Sequence, residues 1–153
     1  MNLHAQAVTM DIRVEPLDYG EHRDQVVDLW TGVFGYGDAR NEPGLVIDKK
    51  LAAGDSLFFV ALADDGVAGT VMAGYDGHRG WIYSLAVLPG SRRRGIGTRL
   101  LEHAERGLRE LGCVKINLQI LGPNEDAREF YLENGYRVEE RISMGKEIPE
   151  NVR

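Results

Sequence analysis

The chain has 153 residues, of which 43% are hydrophobic and 27% charged, and its 24 acidic against 18 basic side chains give a formal net charge of −6. That length and apolar content suffice for one buried core and do not call for a second domain. The acidic balance argues against a protein that coats nucleic acid, no apolar run is long enough to span a bilayer, and a single cysteine, Cys113, allows neither an intramolecular disulfide nor a cysteine-based metal cage.

In chain order, residues 1–9 lack the basic start and apolar run of a secretory signal and read as an N-terminal tail ahead of one domain spanning residues 10–153. The lone cysteine fits a cytoplasmic location. Residues 10–16 predict a strand. Tyr19 to Phe34 predicts a helix, because Val26, Val27, Leu29, Trp30 and Val33 recur at helical spacing. Gly32, Gly35, Gly37, Pro43 and Gly44 mark a flexible connection before a short helix over residues 45–53. Three apolar, β-prone runs follow at 56–63, 67–75 and 81–88, separated by Asp64-Asp65-Gly66 and by Asp76-Gly77-His78-Arg79-Gly80, which predicts an antiparallel meander.

The third of these runs feeds a helix over residues 95–111, with Ile96, Leu100, Leu101, Ala104, Leu108 and Leu111 along one stripe and Gly112 as its stop. Glu102 with Arg106 and Glu105 with Arg109 form i to i+4 pairs on its opposite, solvated face. Residues 114–121 predict a strand, 124–134 a short helix, and 136–148 a terminal strand pair interrupted near Gly145. The strand, helix, strand, helix order from Trp81 to Asn134 implies locally parallel strands. His4, His22, His78 and His103 show no metal-ligand spacing, so no metal is expected.

The most informative stretch is Val87-Leu88-Pro89-Gly90-Ser91-Arg92-Arg93-Arg94-Gly95-Ile96-Gly97-Thr98, which joins a strand to a helix through an Arg-Gly loop. N–H groups at a helix start lack intrahelical partners and carry the positive end of the helix dipole, so a glycine-lined loop there lets an anion approach the backbone. Two familiar glycine motifs fail on residues. A dinucleotide fingerprint would need a third glycine where Leu100 stands. The Gly90 to Gly95 spacing fits a nucleotide triphosphatase loop, but it continues Ile96-Gly97 instead of Lys-Ser/Thr.

What remains, Arg92-x-x-Gly95-x-Gly97 after a strand ending Leu85-Ala86-Val87-Leu88-Pro89, resembles the pyrophosphate-binding motif of the GNAT superfamily of acetyl-CoA-dependent N-acetyltransferases. A second element lies downstream: Asn124, Ala127, Phe130 and Tyr131, then Gly135-Tyr136, match that family's Asn-x-x-Ala-x-x-aromatic-Tyr and Gly-aromatic pattern. The resemblance covers most of the chain from about Met10 onward. It implies an α/β (α+β mixed-sheet), GNAT-like fold with a central mixed β-sheet of about six to seven strands flanked by four helices.

The resemblance also implies roles. Arg92, Arg93, Arg94, Gly95, Ile96, Gly97 and Thr98 would cradle the pyrophosphate of acetyl-CoA, used as co-substrate. Leu85, Ala86 and Val87 would lie along its pantetheine arm, with an N–H near Val87 as oxyanion donor. Asn124 would cap its helix in any fold and, by resemblance, touch the coenzyme arm. Tyr131 matches the tyrosine that protonates the departing sulfur, and a phenol of pKa about 10 stays protonated at neutral pH for that task. The acceptor is an unidentified primary amine. Family members that acetylate ribosomal protein N-termini carry a glutamate where Gln119 stands here, and glutamine cannot accept a proton. Trp30, Phe34 and Tyr36 read more readily as core than as an acceptor cleft, and Tyr75, Asp76 and His78 are turn residues of open role.

The alternative to an enzyme is a non-catalytic acyl-CoA-binding or regulatory module on the same fold. Neither a nucleic acid nor a membrane partner is expected, and the resemblance is compatible with a homodimer formed through the terminal strands.

Overall fold

A computed structural model of the chain describes residues 11–64 and 66–149; the expected tail at 1–9 and the strand start at Met10 lie outside them. The chain divides into two compact units, Met1–Gln119 and Ile120–Arg153.

The first unit holds strands β1 (Arg13–Pro16), β2 (Phe58–Ala63), β3 (Gly66–Tyr75), β4 (Gly80–Val87) and β5 (Ile116–Asn117), with helices α1 (Tyr19–Phe34), α2 (Pro43–Ala52) and α3 (Ile96–Glu110). The strands form one sheet in the order β1-β2-β3-β4-β5. Neighbours from β1 to β4 run antiparallel, and β4 pairs β5 in parallel, so the sheet is mixed. It has five strands instead of six to seven.

Local signals set the helix ends. The Asp18 carboxylate accepts the Glu21 N–H at 2.9 Å and opens α1, and Gly35, with φ 59°, closes it by donating to the Thr31 carbonyl. In α2, Glu42 accepts the N–H groups of Gly44 and Leu45 at 3.0 and 2.8 Å, and Pro43 fills the first position, where a missing N–H does no harm. The helix therefore starts two residues before the 45–53 span that its apolar pattern suggests.

The sheet has an apolar layer on each face. Val26, Leu29 and Trp30 of α1 and Ile47 of α2 pack with Phe58, Val60, Val67, Met72 and Ala86 in one buried cluster. Gly69 and Gly80 face the other side, toward Ile96, Leu100 and Leu108 of α3. The α3 stripe of Ile96, Leu100, Leu101, Ala104 and Leu108 is at most 1% exposed. Burying each of its Leu or Ile side chains stabilises the fold by roughly 1.5–3 kcal/mol.

The second unit contains α4 (Glu125–Glu133), capped by the Asn124 side chain accepting the Ala127 N–H at 3.1 Å. The strand expected over 114–121 contracts to Ile116–Asn117, and no strand forms among the described residues 136–149. Alternation qualifies a segment for a strand, but only a partner completes its hydrogen bonds. Val138, Ile142, Met144 and Ile148 are 68%, 90%, 91% and 86% exposed.

The close approach of α3 to the sheet depends on Gly69. A Cβ there would stand 2.9 Å from both the Ala86 carbonyl oxygen and Leu100 Cδ1, and 3.3 Å from Ile96 Cγ2. Gly69→Ala is expected to destabilise the protein by about 1–3 kcal/mol, as overpacked cores do. Urea unfolding of the two proteins measures it; an unchanged midpoint would mean that helix and strand have room to separate.

Candidate functional site

The expected site residues of the first unit lie on one continuous segment: Leu85, Ala86 and Val87 end β4, Arg92 to Gly95 form the loop, and Ile96, Gly97 and Thr98 make the first turn of α3. Asn124 and Tyr131 lie in the second unit, as the cap and a member of α4.

Two irregularities shape β4. Its parallel pairing with β5 covers only Gly80↔Ile116 and Trp81↔Asn117, so no strand among the described residues pairs with that edge from Ile82 to Val87. On the other edge, pairing with β3 passes from Met72↔Tyr83 to Thr70↔Ala86, leaving two β4 residues, Ser84 and Leu85, opposite Val71. This is a β-bulge, and Ser84 adopts φ 48°, the left-handed region that a side chain disfavours.

The bulge changes which backbone groups face the open edge. Before it, Gly80 N–H donates away from β3, to the Lys115 carbonyl at 2.8 Å; after it, Leu88 N–H donates toward β3, to the Ala68 carbonyl at 2.8 Å. N–H direction alternates along a strand with period two. Even-numbered residues therefore point to the open side before the bulge and to β3 after it, so Leu85 and Val87 present their N–H groups to the open edge. The Val87 carbonyl on that side accepts Arg92 Nε at 3.3 Å.

The loop continues the pattern of exposed donors. Residues Pro89–Ser91 form one 3-10 turn, Arg92 is extended, and Arg93 and Gly95 are left-handed, with φ 65° and 76°. Left-handed residues within such a turn make backbone N–H groups converge into an anion-binding concavity. Gly95 is the N-cap of α3 and supplies no side-chain cap, whereas α1, α2 and α4 are capped by Asp18, Glu42 and Asn124. The Gly95 carbonyl accepts the Arg99 N–H, the first bond of the helix, so the N–H groups of Ile96, Gly97 and Thr98 have no intrahelical acceptor. Arg92, Arg93 and Arg94 are exposed around this end. Helix dipole, donors and rim charge thus favour one kind of ligand, a phosphate-bearing anion.

In the second unit, Tyr131 stacks edge-on against Phe130 and Tyr136, with ring centroids 5.1 and 5.5 Å away. Burial pushes its phenol up to about 12, so it remains a proton donor throughout the neutral range.

Other aromatic and turn residues fall into structural places. Trp30 is buried at 3% exposure and stacks on Phe58 at 5.7 Å, a core position, whereas Phe34 and Tyr36 are half exposed. Asp76 braces the β3–β4 turn: it accepts the N–H groups of His78 and Arg79 at 2.7 Å each and Trp81 Nε1 at 3.2 Å. Hydrogen bonds from Arg79, His78 and Trp81 hold its carboxyl down at about 2. Beside the open edge, the Tyr83 phenol is shifted upward by burial and by the charges of Asp76 and Asp55. Gln119 is exposed beyond the end of β5.

Sequence reading misses the bulge and its support. Thr70 Oγ1 donates to the Ser84 carbonyl at 2.9 Å and accepts Trp30 Nε1–H at 2.8 Å. The only signal was a lone threonine in the apolar run of β3, Gly-Val-Ala-Gly-Thr-Val-Met-Ala-Gly-Tyr.

The sequence model described as the acetyltransferase (GNAT) family matches residues 23–136. Among solved structures, the chain is similar to the NatC complex bound to Gag peptide and CoA, at 23% identity and TM-score 0.71 over 82% of this chain and 84% of that one. It is similar to the PaiA N-acetyltransferase from Thermoplasma acidophilum in complex with coenzyme A, at 20% identity and TM-score 0.71, covering 87% and 94%. It is also similar to AAC(6')-Iy in complex with the bisubstrate analog CoA-S-monomethyl-acetylneamine, at 16% identity and TM-score 0.72, covering 90% and 99%. Among the described residues, no helix is long and apolar enough to cross a membrane, and no group of three or more His, Cys, Asp or Glu could hold a metal ion.

The raised Tyr131 value has a stability consequence with a definite sign. The folded state prefers the neutral phenol, so this contribution is complete below the unfolded value of about 10 and is lost as pH rises from there through about 12. Urea unfolding at about pH 8 and about pH 11 is expected to show wild type losing more stability than Tyr131→Phe over that interval. Equal losses would mean that the phenol titrates normally.

Proposed function

The chain belongs to the GNAT acetyltransferase family, and from that premise we propose that it is an N-acetyltransferase moving an acetyl group from acetyl-CoA to a primary amine in a ternary complex. The observation that carries the reading is the uncapped, glycine-started α3 directly after a bulged strand with an open edge. Such an arrangement suits a molecule with a pyrophosphate at one end and an amide-bearing arm leading to a thioester.

In this reading, the N–H groups of Ile96, Gly97 and Thr98 and the Arg93-to-Gly95 turn bind the pyrophosphate, with Arg92, Arg93 and Arg94 at its rim. Left-handed Gly95 keeps a side chain off the approach. The open edge at Leu85, Ala86 and Val87 pairs with the amides of the pantetheine arm as a strand would. Neutral amine nitrogen attacks the thioester carbonyl, and the Val87 N–H stabilises the oxyanion that forms. Collapse of that oxyanion breaks the C–S bond, and Tyr131 donates its proton to the leaving thiolate. A proton lost by the amine restores the phenol.

Tyr131 takes this role from its place in the Asn124-to-Tyr131 motif, and its raised pKa supports the role by keeping it protonated. Asn124 caps α4, and its contact with the coenzyme arm follows from the same motif. The solved structures it resembles bind a peptide in one case and an aminoglycoside-derived bisubstrate in another. Both fit an amine acceptor as the class. Gln119 lacks the basic oxygen of a glutamate, so the proposal stops short of ribosomal N-termini.

Thermal unfolding with acetyl-CoA, coenzyme A and ATP provides the first test, because a ligand that binds only the folded state stabilises it by about 2.7 kcal/mol at a hundred times its Kd. Both coenzymes are expected to raise Tm and ATP to do so far less; no shift with either coenzyme would overturn the reading. A panel of amines, polyamines, amino acids and peptides assayed by thiol release then finds the acceptor. With it, Tyr131→Phe is expected to lower kcat about 10²-fold while leaving coenzyme affinity nearly intact. An unchanged kcat would remove Tyr131 from the chemistry.

A further inference from the structure

Val87 N–H can meet a thioester oxygen only because the strand changes phase at Ser84. Counting from Gly80, whose N–H points to the β5 side, an unbroken β4 would turn the N–H of residues 82, 84 and 86 to the open edge and spend that of Val87 on β3. The extra residue at Ser84–Leu85 reverses this. Whatever holds the bulge therefore decides which donors the open edge displays.

The left-handed turn at Ser84, φ 48°, takes its carbonyl out of ladder register with β3. That oxygen accepts the Thr70 hydroxyl at 2.9 Å, and Thr70 Oγ1 accepts Trp30 Nε1–H at 2.8 Å. The proton directions admit one solution. An indole N–H can only donate and a carbonyl can only accept, so the hydroxyl must accept from Trp30 and donate to Ser84. Thr70 is fully buried and Trp30 is 3% exposed. Solvent therefore does not compete for the Trp30–Thr70 bond, and the Thr70–Ser84 bond is part-buried. The indole ring is itself fixed by stacking on Phe58, with ring planes 7° apart.

We propose that Thr70 and Trp30 are positioning residues of the acetyl-transfer site: their buried relay locks the β4 bulge in the phase that aims the Leu85 and Val87 N–H groups at the thioester. The proposal rests on the reading of the open β4 edge as the thioester site. Neither side chain touches a substrate. Both act through the Ser84 carbonyl, and the relay ties that carbonyl to α1 across β3. Trp30, a core residue by its burial, thus has a second role set by its one polar atom. The relay should matter most where charge develops on the oxygen, and little for holding the pyrophosphate, which other backbone groups bind.

The test compares full-length wild type, Thr70→Val, Thr70→Ser and Trp30→Phe. Val keeps the shape of Thr and loses the hydroxyl, Ser keeps the hydroxyl, and Phe keeps a ring against Phe58 without the donor. Kinetics are followed by thiol release from acetyl-CoA with the best amine of the panel, and coenzyme A affinity by calorimetry. Thr70→Val and Trp30→Phe are expected to lose at least tenfold in kcat, with the KM for acetyl-CoA and the coenzyme A Kd within about threefold of wild type. Thr70→Ser should retain most of the activity. In amide-proton NMR, the Trp30 indole N–H should be protected from exchange in wild type and Thr70→Ser and lose protection in Thr70→Val.

Folded Thr70→Val and Trp30→Phe with kcat within twofold of an active wild type would overturn the relay while leaving the acetyltransferase reading intact. Equal losses in kcat and in coenzyme A affinity would overturn it too, as the mark of general loosening. A wild type that neither binds acetyl-CoA nor releases thiol would overturn both.

Discussion

Backbone hydrogen bonds in a sheet come in fixed alternation, and β4 has to break that alternation once. Before Ser84 its outward groups reach the β5 side; after Leu85 the opposite set does. The break displaces a part-buried carbonyl, and a buried acceptor left unsatisfied costs about 1–3 kcal/mol. Thr70 satisfies it, and Trp30 satisfies Thr70, so no buried side-chain polar atom is left without a partner among the described residues. Much of the first unit bears on this arrangement. Phe58 fixes the indole, α1 carries it, and Gly69 lets α3 settle against the strand that faces the bulge.

Helix termini show the same economy of donors. Three helices close their first turn with a side chain, a carboxylate in α1 and α2 and an amide in α4. Only α3 among them begins with a bare left-handed glycine. Its apolar stripe is almost entirely buried, so the stability lost by omitting a cap, typically about 1 kcal/mol, is small beside the packing that holds the helix in place. A helix anchored by its flank can leave its tip open. The net charge of −6 makes this tip locally exceptional, since three consecutive arginines surround it.

In the proposed reading, donor and acceptor recognition rest on different parts of the chain. The groups suited to an acyl-coenzyme A are backbone N–H groups and glycines, whose chemistry does not depend on the second substrate. An amine would be selected by side chains, and there the surroundings of β4 mix a half-exposed Tyr83, an Asp76 engaged in bracing its own turn, and an exposed Gln119 without basic character.

The sequence by itself determined what depends on near neighbours. Helical spacing delimits α1, turn residues delimit the three strands of the meander, and the stripe that starts at Ile96 marks α3; the structure keeps these elements, with Leu111, the last residue of the expected stripe, exposed just past the helix end. The Arg92-to-Thr98 loop was legible for the same reason, because Arg and Gly at fixed offsets mark a turn from a strand into a helix. Tertiary structure alone decided what depends on distant partners. A strand exists only where another pairs with it, so β5 shrank to Ile116–Asn117 and residues 136–149 formed no strand despite their apolar alternation. The phase of β4 was set by a threonine 14 residues and a tryptophan 54 residues earlier in the chain. A bulge is settled by which distant group satisfies its displaced carbonyl, and no local pattern of residue types encodes that.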